Sequence, residues 1–146
     1  MPVTADGTSI ERRVGRLVEI RTSESIPKTL KDDFVQRMRP IFADDKVVVI
    51  SDYRATAVFT DSLSDWLKSL MVTVNVQVLR AAAVMPPGAA VLNLQYQRIS
   101  SSAGNPNRRA FQSPDDAVAW LSPALTEAEI ARVSAFLAEF RAAPGG

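Results

Sequence analysis

Four β-branched residues in a row, Val47-Val48-Val49-Ile50, within the stretch Lys46 to Ser51, constrain this chain more than any other feature. Such side chains are stiff about their first torsion and pack well on a pleated strand. Polar residues do not alternate with them, so both faces of the strand need cover, as in the middle of a parallel or mixed sheet. Asp44-Asp45 leads into the run and Asp52-Tyr53-Arg54 leads out of it. The rest of the chain must therefore supply neighbouring strands and helices to shield them.

Before this strand, residues 1–9 are polar and are expected to be loose. Val18 and Ile20 alternate with Leu17, Glu19 and Arg21, which predicts a half-exposed strand with a hairpin partner around residues 9–13. Pro27 suits a helix's first turn, and Leu30, Phe34, Met38 and Ile41 follow as a stripe. Pro40 should end or bend that helix near Arg39.

After the central strand, a loop runs over residues 52–60, and Asp61-Ser62 is expected to open the second helix with Ser62 as its cap and Asp65 three residues on. Leu63, Trp66, Leu67, Leu70 and Met71 keep the helical period. Residues 78–85 read as another strand, stopped by Pro86-Pro87-Gly88. A third helix places Ala89, Leu92, Tyr96 and Ile99 on one stripe, and the turn 103–107 leads to a short edge strand over residues 108–112. Ser113-Pro114-Asp115-Asp116 has a capping Ser, a proline at the first helical position and two carboxylates at the positive end of the dipole. Thr126 and Glu129 form a capping box for a last amphipathic helix, with Ile130, Val133, Leu137 and Phe140 spaced by three, four and three.

Strands and helices thus alternate. The expected fold is α/β: one layer of four to five strands, mostly parallel or mixed, covered by helices, with an extra C-terminal helix. One domain should span residues 10–141, and residues 142–146 should form a loose tail.

Seventeen Lys and Arg face sixteen Asp and Glu, a net charge of +1, so the chain as a whole carries no electrostatic footprint for nucleic acid. It has neither cysteine nor histidine. Disulfides, thiolate metal sites and a cysteine nucleophile are thereby excluded, along with the usual general base at neutral pH and the commonest transition-metal ligand. These absences argue against hydrolases and zinc enzymes. The N-terminus lacks the pattern of a signal peptide, and the longest apolar-leaning stretch, residues 72–84, is interrupted by Asn75, Gln77 and Arg80. A bilayer takes about 20 residues to cross. The expectation is a cytoplasmic protein with no membrane insertion, no cofactor and no metal.

The order of elements, the passage from Val47-Val48-Val49-Ile50-Ser51 to Asp61-Ser62-Leu63, and the closing runs 105–111 and 116–121 together resemble bacterial STAS-like and SEC14-like small domains, the group similar to anti-sigma factor antagonists. The likeness spans residues 14 to 122. It implies a non-enzymatic, regulatory role through contact with a protein partner. In the antagonists the helix after a central strand opens Asp-Ser-Ser-Gly, and the first Ser accepts a phosphoryl group from a partner kinase. Here Asp61-Ser62 is similar, but Leu63-Ser64 replaces the second Ser and the Gly, and the preceding loop is longer. Ser62 is therefore the candidate phosphorylation site, with plain helix capping as the competing account. The SEC14-like side of the resemblance implies instead a small apolar or lipid ligand between the sheet and the helices over residues 62–75 and 89–102.

Three further groups are candidates for contact. Asp52, Tyr53 and Arg54 follow the central strand, where ligands of open α/β sheets gather. Arg98, Arg108 and Arg109, with Asn105 and Asn107, are expected either to converge on an anion near the 103–107 turn or to serve as solvated edge-strand charges. Phe136 beside Val133 and Phe140 broadens the last helix's apolar face, making Val133, Phe136 and Phe140 candidates for a homodimer contact. Trp66 and Trp120 should pack in the core. An enzyme using Asp52, Arg54 and Arg98 on an anionic substrate ranks below these readings, because without His or Cys it needs a strongly shifted Asp, Glu, Lys or Tyr.

Overall fold

The computed structural model describes residues 9–22, 30–42, 46–56 and 59–140. The Pro27 helix start, the Asp44-Asp45 turn, the tail over 142–146 and the side chains of Leu30, Phe34 and Ser62 lie outside the described residues. So does the loose N-terminus, except that Ser9 already belongs to the first strand.

Strands β1 (Ser9–Val14) and β2 (Leu17–Arg21) form an antiparallel hairpin, with Gly15 at a φ of 55° in its turn. Helix α1 (Leu30–Ile41) crosses to β3 (Val47–Asp52), α2 (Asp61–Val74) with a 3-10 turn (Asn75–Gln77) leads to β4 (Val78–Val84), and α3 (Ala90–Ala103) leads to β5 (Arg108–Phe111). The sheet order is β1-β2-β3-β4-β5, and β2 to β5 are all parallel. Because each crossover steps the same way across the sheet, right-handed connections stack α1, α2 and α3 on one face. Helices α4 (Pro114–Leu121) and α5 (Glu127–Ala138) cover the other. Among the described residues no helix is long and apolar enough to cross a membrane.

The unbroken valine run becomes the centre of a three-layer structure. Val47 and Val49 join Val18, Met38, Phe42 and Val74 under α1 and α2, whereas Val48 and Ile50 join Leu17, Leu121, Val133 and Leu137 under α4 and α5. All six residues of β3 are buried. The same alternation sorts β2, whose expected half-exposed character is corrected: Leu17, Val18 and Glu19 are all buried, because β2 is an internal strand covered on both faces.

Local signals at three helix starts can be compared with the outcome. Ser113 accepts from the Asp116 N–H with Pro114 at the first helical position, and Thr126 and Glu129 form the reciprocal capping box. The cap of the second helix lies two residues earlier than expected. Thr60, not Ser62, is its cap, accepting from the Leu63 N–H at 3.2 Å, so Ser62 sits inside the first turn. Helix α1 keeps Pro40 within its last turn and runs on to Ile41, since a proline that close to the end interrupts little of the remaining ladder.

Candidate functional site

The pleat of the sheet decides which candidate side chains can meet. Residues of even number on β3 and odd number on β2 face α5; their neighbours face α1 and α2.

On the α5 side, Asp52 is 1% exposed and its carboxylate is fully engaged. It accepts from Arg54 Nε and Nη2, both at 2.9 Å, and from the Arg54 backbone N–H at 3.1 Å, while Arg21 Nε lies 3.5 Å away. Arg54 also donates to the Leu137 carbonyl at 2.6 Å and lies 4.3 Å from the centre of the Phe140 ring. Arg21 donates to the Phe136 carbonyl and stacks 4.2 Å from the Phe136 ring. Two guanidinium groups thus satisfy carbonyls at the negative end of α5, where the helix dipole favours cations. Next to them Arg132 forms a two-pronged bond to the buried Glu19 at 2.9 and 3.0 Å and reaches Glu139 at 3.1 Å.

This network corrects two expectations. Asp52 and Arg54 do not offer themselves to a ligand, because they fasten α5 to the sheet. Val133 and Phe136 do not face a second subunit: both are buried in this domain's own core, and Phe140 is partly covered by Arg54.

The 103–107 turn likewise divides its candidates. Arg108 and Arg109 are adjacent on β5 and so point to opposite faces. Arg109 lies 5.3 Å from the Trp120 ring and Arg80 5.1 Å from it, while Trp120 itself packs, partly buried, against the apolar cluster under α4 and α5 and 5.8 Å from the Phe111 ring. Arg98 is exposed on α3. Only Asn105 and Arg108 share a feature, an open depression bordered by Ser100, Ser101 and Gly104.

Arg108 also lines a cavity of about 60 Å³. Ile20, Thr22, Val49 and Ser51 supply part of its sheet side, α2 contributes Trp66, Leu67, Leu70 and Met71, and Met38 and Phe42 close it from α1. Tyr53 and Tyr96 complete the wall. The expected location between the sheet and both later helices is thus refined: the space lies beneath α2 and beside the end of α1, with Tyr96 as the contribution of α3.

Polar groups around this cavity have definite roles. Asn75 donates to the Ala103 carbonyl at 2.7 Å, which turns its Oδ1 toward Arg108 Nε at 3.1 Å. Arg108 Nη2 is buried and has no hydrogen-bond partner. Burial raises the Tyr53 hydroxyl well above its ordinary pKa and the neighbouring Tyr96 adds to that, against an opposing hydrogen bond to Ser51 and the charge of Arg108. Burial likewise raises Tyr96, with the charge of Arg108 and its hydrogen bond opposing. Both phenols therefore keep their protons at neutral pH. Tyr53 is further held by edge-on packing on Phe59 at 5.4 Å, and Gln95 clasps the Phe59 backbone through bonds of 3.0 and 2.9 Å.

Of the expected contact residues, Tyr53 and Arg108 meet at this cavity, and Asn105 stands outside it by way of Arg108. Thr22, Ser51 and Tyr96 were not foreseen. Tyr96 was legible only as part of an apolar stripe, whereas Thr22 and Ser51 carry no sequence signal beyond their parity with Ile20 and Val49. No family model matches this chain, and no curated protein matches it.

Proposed function

We propose that this chain is a non-enzymatic, cytoplasmic binding module of the STAS-like and SEC14-like kind, and that its site is the cavity beneath α2. The observation that carries this reading is a mostly apolar space lined by a guanidinium whose buried Nη2 lacks a hydrogen-bond partner. Pockets that bind small molecules combine mostly apolar walls with a few convergent polar groups. The order of elements on which the resemblance rests is the order seen here. Shifts of the titratable groups also favour binding over proton transfer: Tyr53 and Tyr96 move up, and Glu129 and Glu139 move down, each away from neutrality.

A thermal-shift and native mass-spectrometry screen with small apolar compounds tests the proposal. An occupant present at a hundredfold over its Kd stabilises the fold by about 2.7 kcal/mol. A Leu70→Phe variant, which fills the cavity, should stay folded and lose that response. Equal responses from both proteins, or none from either, would count against the reading.

A second reading is contact with another protein molecule, and four exposed apolar side chains favour it: Val72, Val76, Val91 and Leu94, with Val76 74% exposed. Its occupant would be a second copy of the chain, meeting through α2 and α3 rather than α5. Sedimentation velocity distinguishes this: a wild-type dimer that dissociates on Val91→Asp supports it, and a monomer at all concentrations removes it.

A further inference from the structure

Among the described residues no carboxylate pairs with Arg108, the charged residue that lines the cavity. Arg108 bonds through Nε to a neutral amide oxygen, and the ion pairs resolved among the described residues involve Arg13, Arg21, Arg54 and Arg132. The side chain is only partly buried, but its Nη2 is cut off from water, and a buried donor left without an acceptor is costly. Its geometry is nevertheless well defined. Asn75, pinned to the Ala103 carbonyl, sets the direction of the guanidinium, and Tyr96 lies against it with its hydroxyl protonated. One cation, one free N–H and a nearby phenol make a receptor for a single negative charge.

We propose that the occupant is a small monocarboxylate, its apolar body beneath α2 and its carboxylate on Arg108; this rests on the cavity being the binding site. A carboxylate accepts a charge-assisted bond from Nη2 and keeps a second oxygen for the Tyr96 hydroxyl. A phosphate dianion fits less well, since one guanidinium leaves much of its charge unanswered among Leu67, Leu70 and Met71. Size sets the body. A cavity of about 150 Å³ takes a benzene ring, so a space of about 60 Å³ takes a body of about two to three carbons, a short aliphatic chain. Arg108 also borders the open depression at Ser100, Ser101 and Asn105, so the charged end of the occupant lies nearest to water.

Calorimetric titration of the intact chain with butyrate, butanol and butylammonium separates this inference from the reading beneath it. Charge-assisted bonds of this kind should make butyrate bind about ten- to a hundredfold more tightly than butanol, with butylammonium weakest. Arg108→Met should abolish the preference for butyrate while leaving butanol binding in place, and Arg109→Met, on the opposite face, should change neither. Equal affinity for butyrate and butanol overturns the carboxylate assignment and leaves the cavity as a site for neutral molecules. Failure of all three to bind overturns the cavity reading itself. The wild-type comparison decides between these outcomes even where the Arg108→Met protein does not fold.

Discussion

Replacing Gly15 with alanine should loosen the hairpin from the start of α5, and the structure allows the loss to be worked out. Gly15 adopts a φ of 55°, a left-handed conformation that costs an L-residue roughly 1–2 kcal/mol. A Cβ added there would lie 2.9 Å from Glu129 Cδ and nearer still to Oε2. The carboxylate is flexible enough to swing away, but it would abandon the Arg16 N–H at 2.5 Å and the Thr126 N–H at 2.8 Å. Hydrogen bonds to a charged group are worth about 1.5–3 kcal/mol each, and water recovers part of that once the carboxylate moves outward. The total is about 2–4 kcal/mol, a fall in melting temperature of roughly 6–12 °C for a domain of this size. Urea unfolding followed by circular dichroism measures it. In a Glu129→Ala background the clash is gone, and the same glycine substitution should cost only the backbone share, about 1–2 kcal/mol. An identical cost in both backgrounds would refute the reasoning, since it would place the entire effect in the backbone.

Other consequences can be measured with the same equipment. Arg132→Met leaves Glu19, only 2% exposed, as an unpaired buried charge and should destabilise the fold by about 3–5 kcal/mol, most of it recovered in the double variant Glu19→Leu/Arg132→Met. Burial works to raise the Glu129 pKa, yet the bonds from Thr126 and Arg16 prevail and hold it below 4.5; Glu139 is held down chiefly by its bond from Arg132. A carboxyl depressed by folding contributes its stability above the ordinary value and loses it as pH falls through the folded one, so the urea midpoint should drop below about pH 4.5, with a flatter acid limb in Glu129→Gln. Glu139, 43% exposed, should contribute the smaller share. Thr60→Ala should cost about 1 kcal/mol by removing the cap of α2, and Ser62→Ala, which leaves that cap bond in place, should cost less; the reverse order would restore Ser62 as the cap.

Features legible in the sequence were those whose cause is local. The valines of β3 announce burial on both faces because polar residues are missing at either parity, and the caps at Ser113 and Thr126 lie within three residues of the N–H groups they satisfy. Thr60 escaped notice because Thr60, Asp61 and Ser62 are three capping residues in a row, and only the backbone tells which one precedes the first turn. The error over Val133 and Phe136 has a different source. A doubly buried β3 already required a second helical layer, and the apolar width of α5 serves that layer, covering Leu17, Val48 and Ile50. Glu19 could not be read as buried without its partner Arg132, 113 positions away. Arg108 and Arg109 look alike in sequence and differ by the parity of one strand, which places one against a cavity and the other against Trp120.

An amide-resolved NMR titration of the intact chain with butyrate bears most directly on the central claim, that the space beneath α2 receives a small apolar molecule. The account predicts saturable shifts at Val49, Ser51, Tyr53, Tyr96 and Arg108, with Leu121 and Val133 across the sheet unmoved. Shifts centred on α4 and α5, or no shift as the ligand is raised to millimolar concentration, would contradict it.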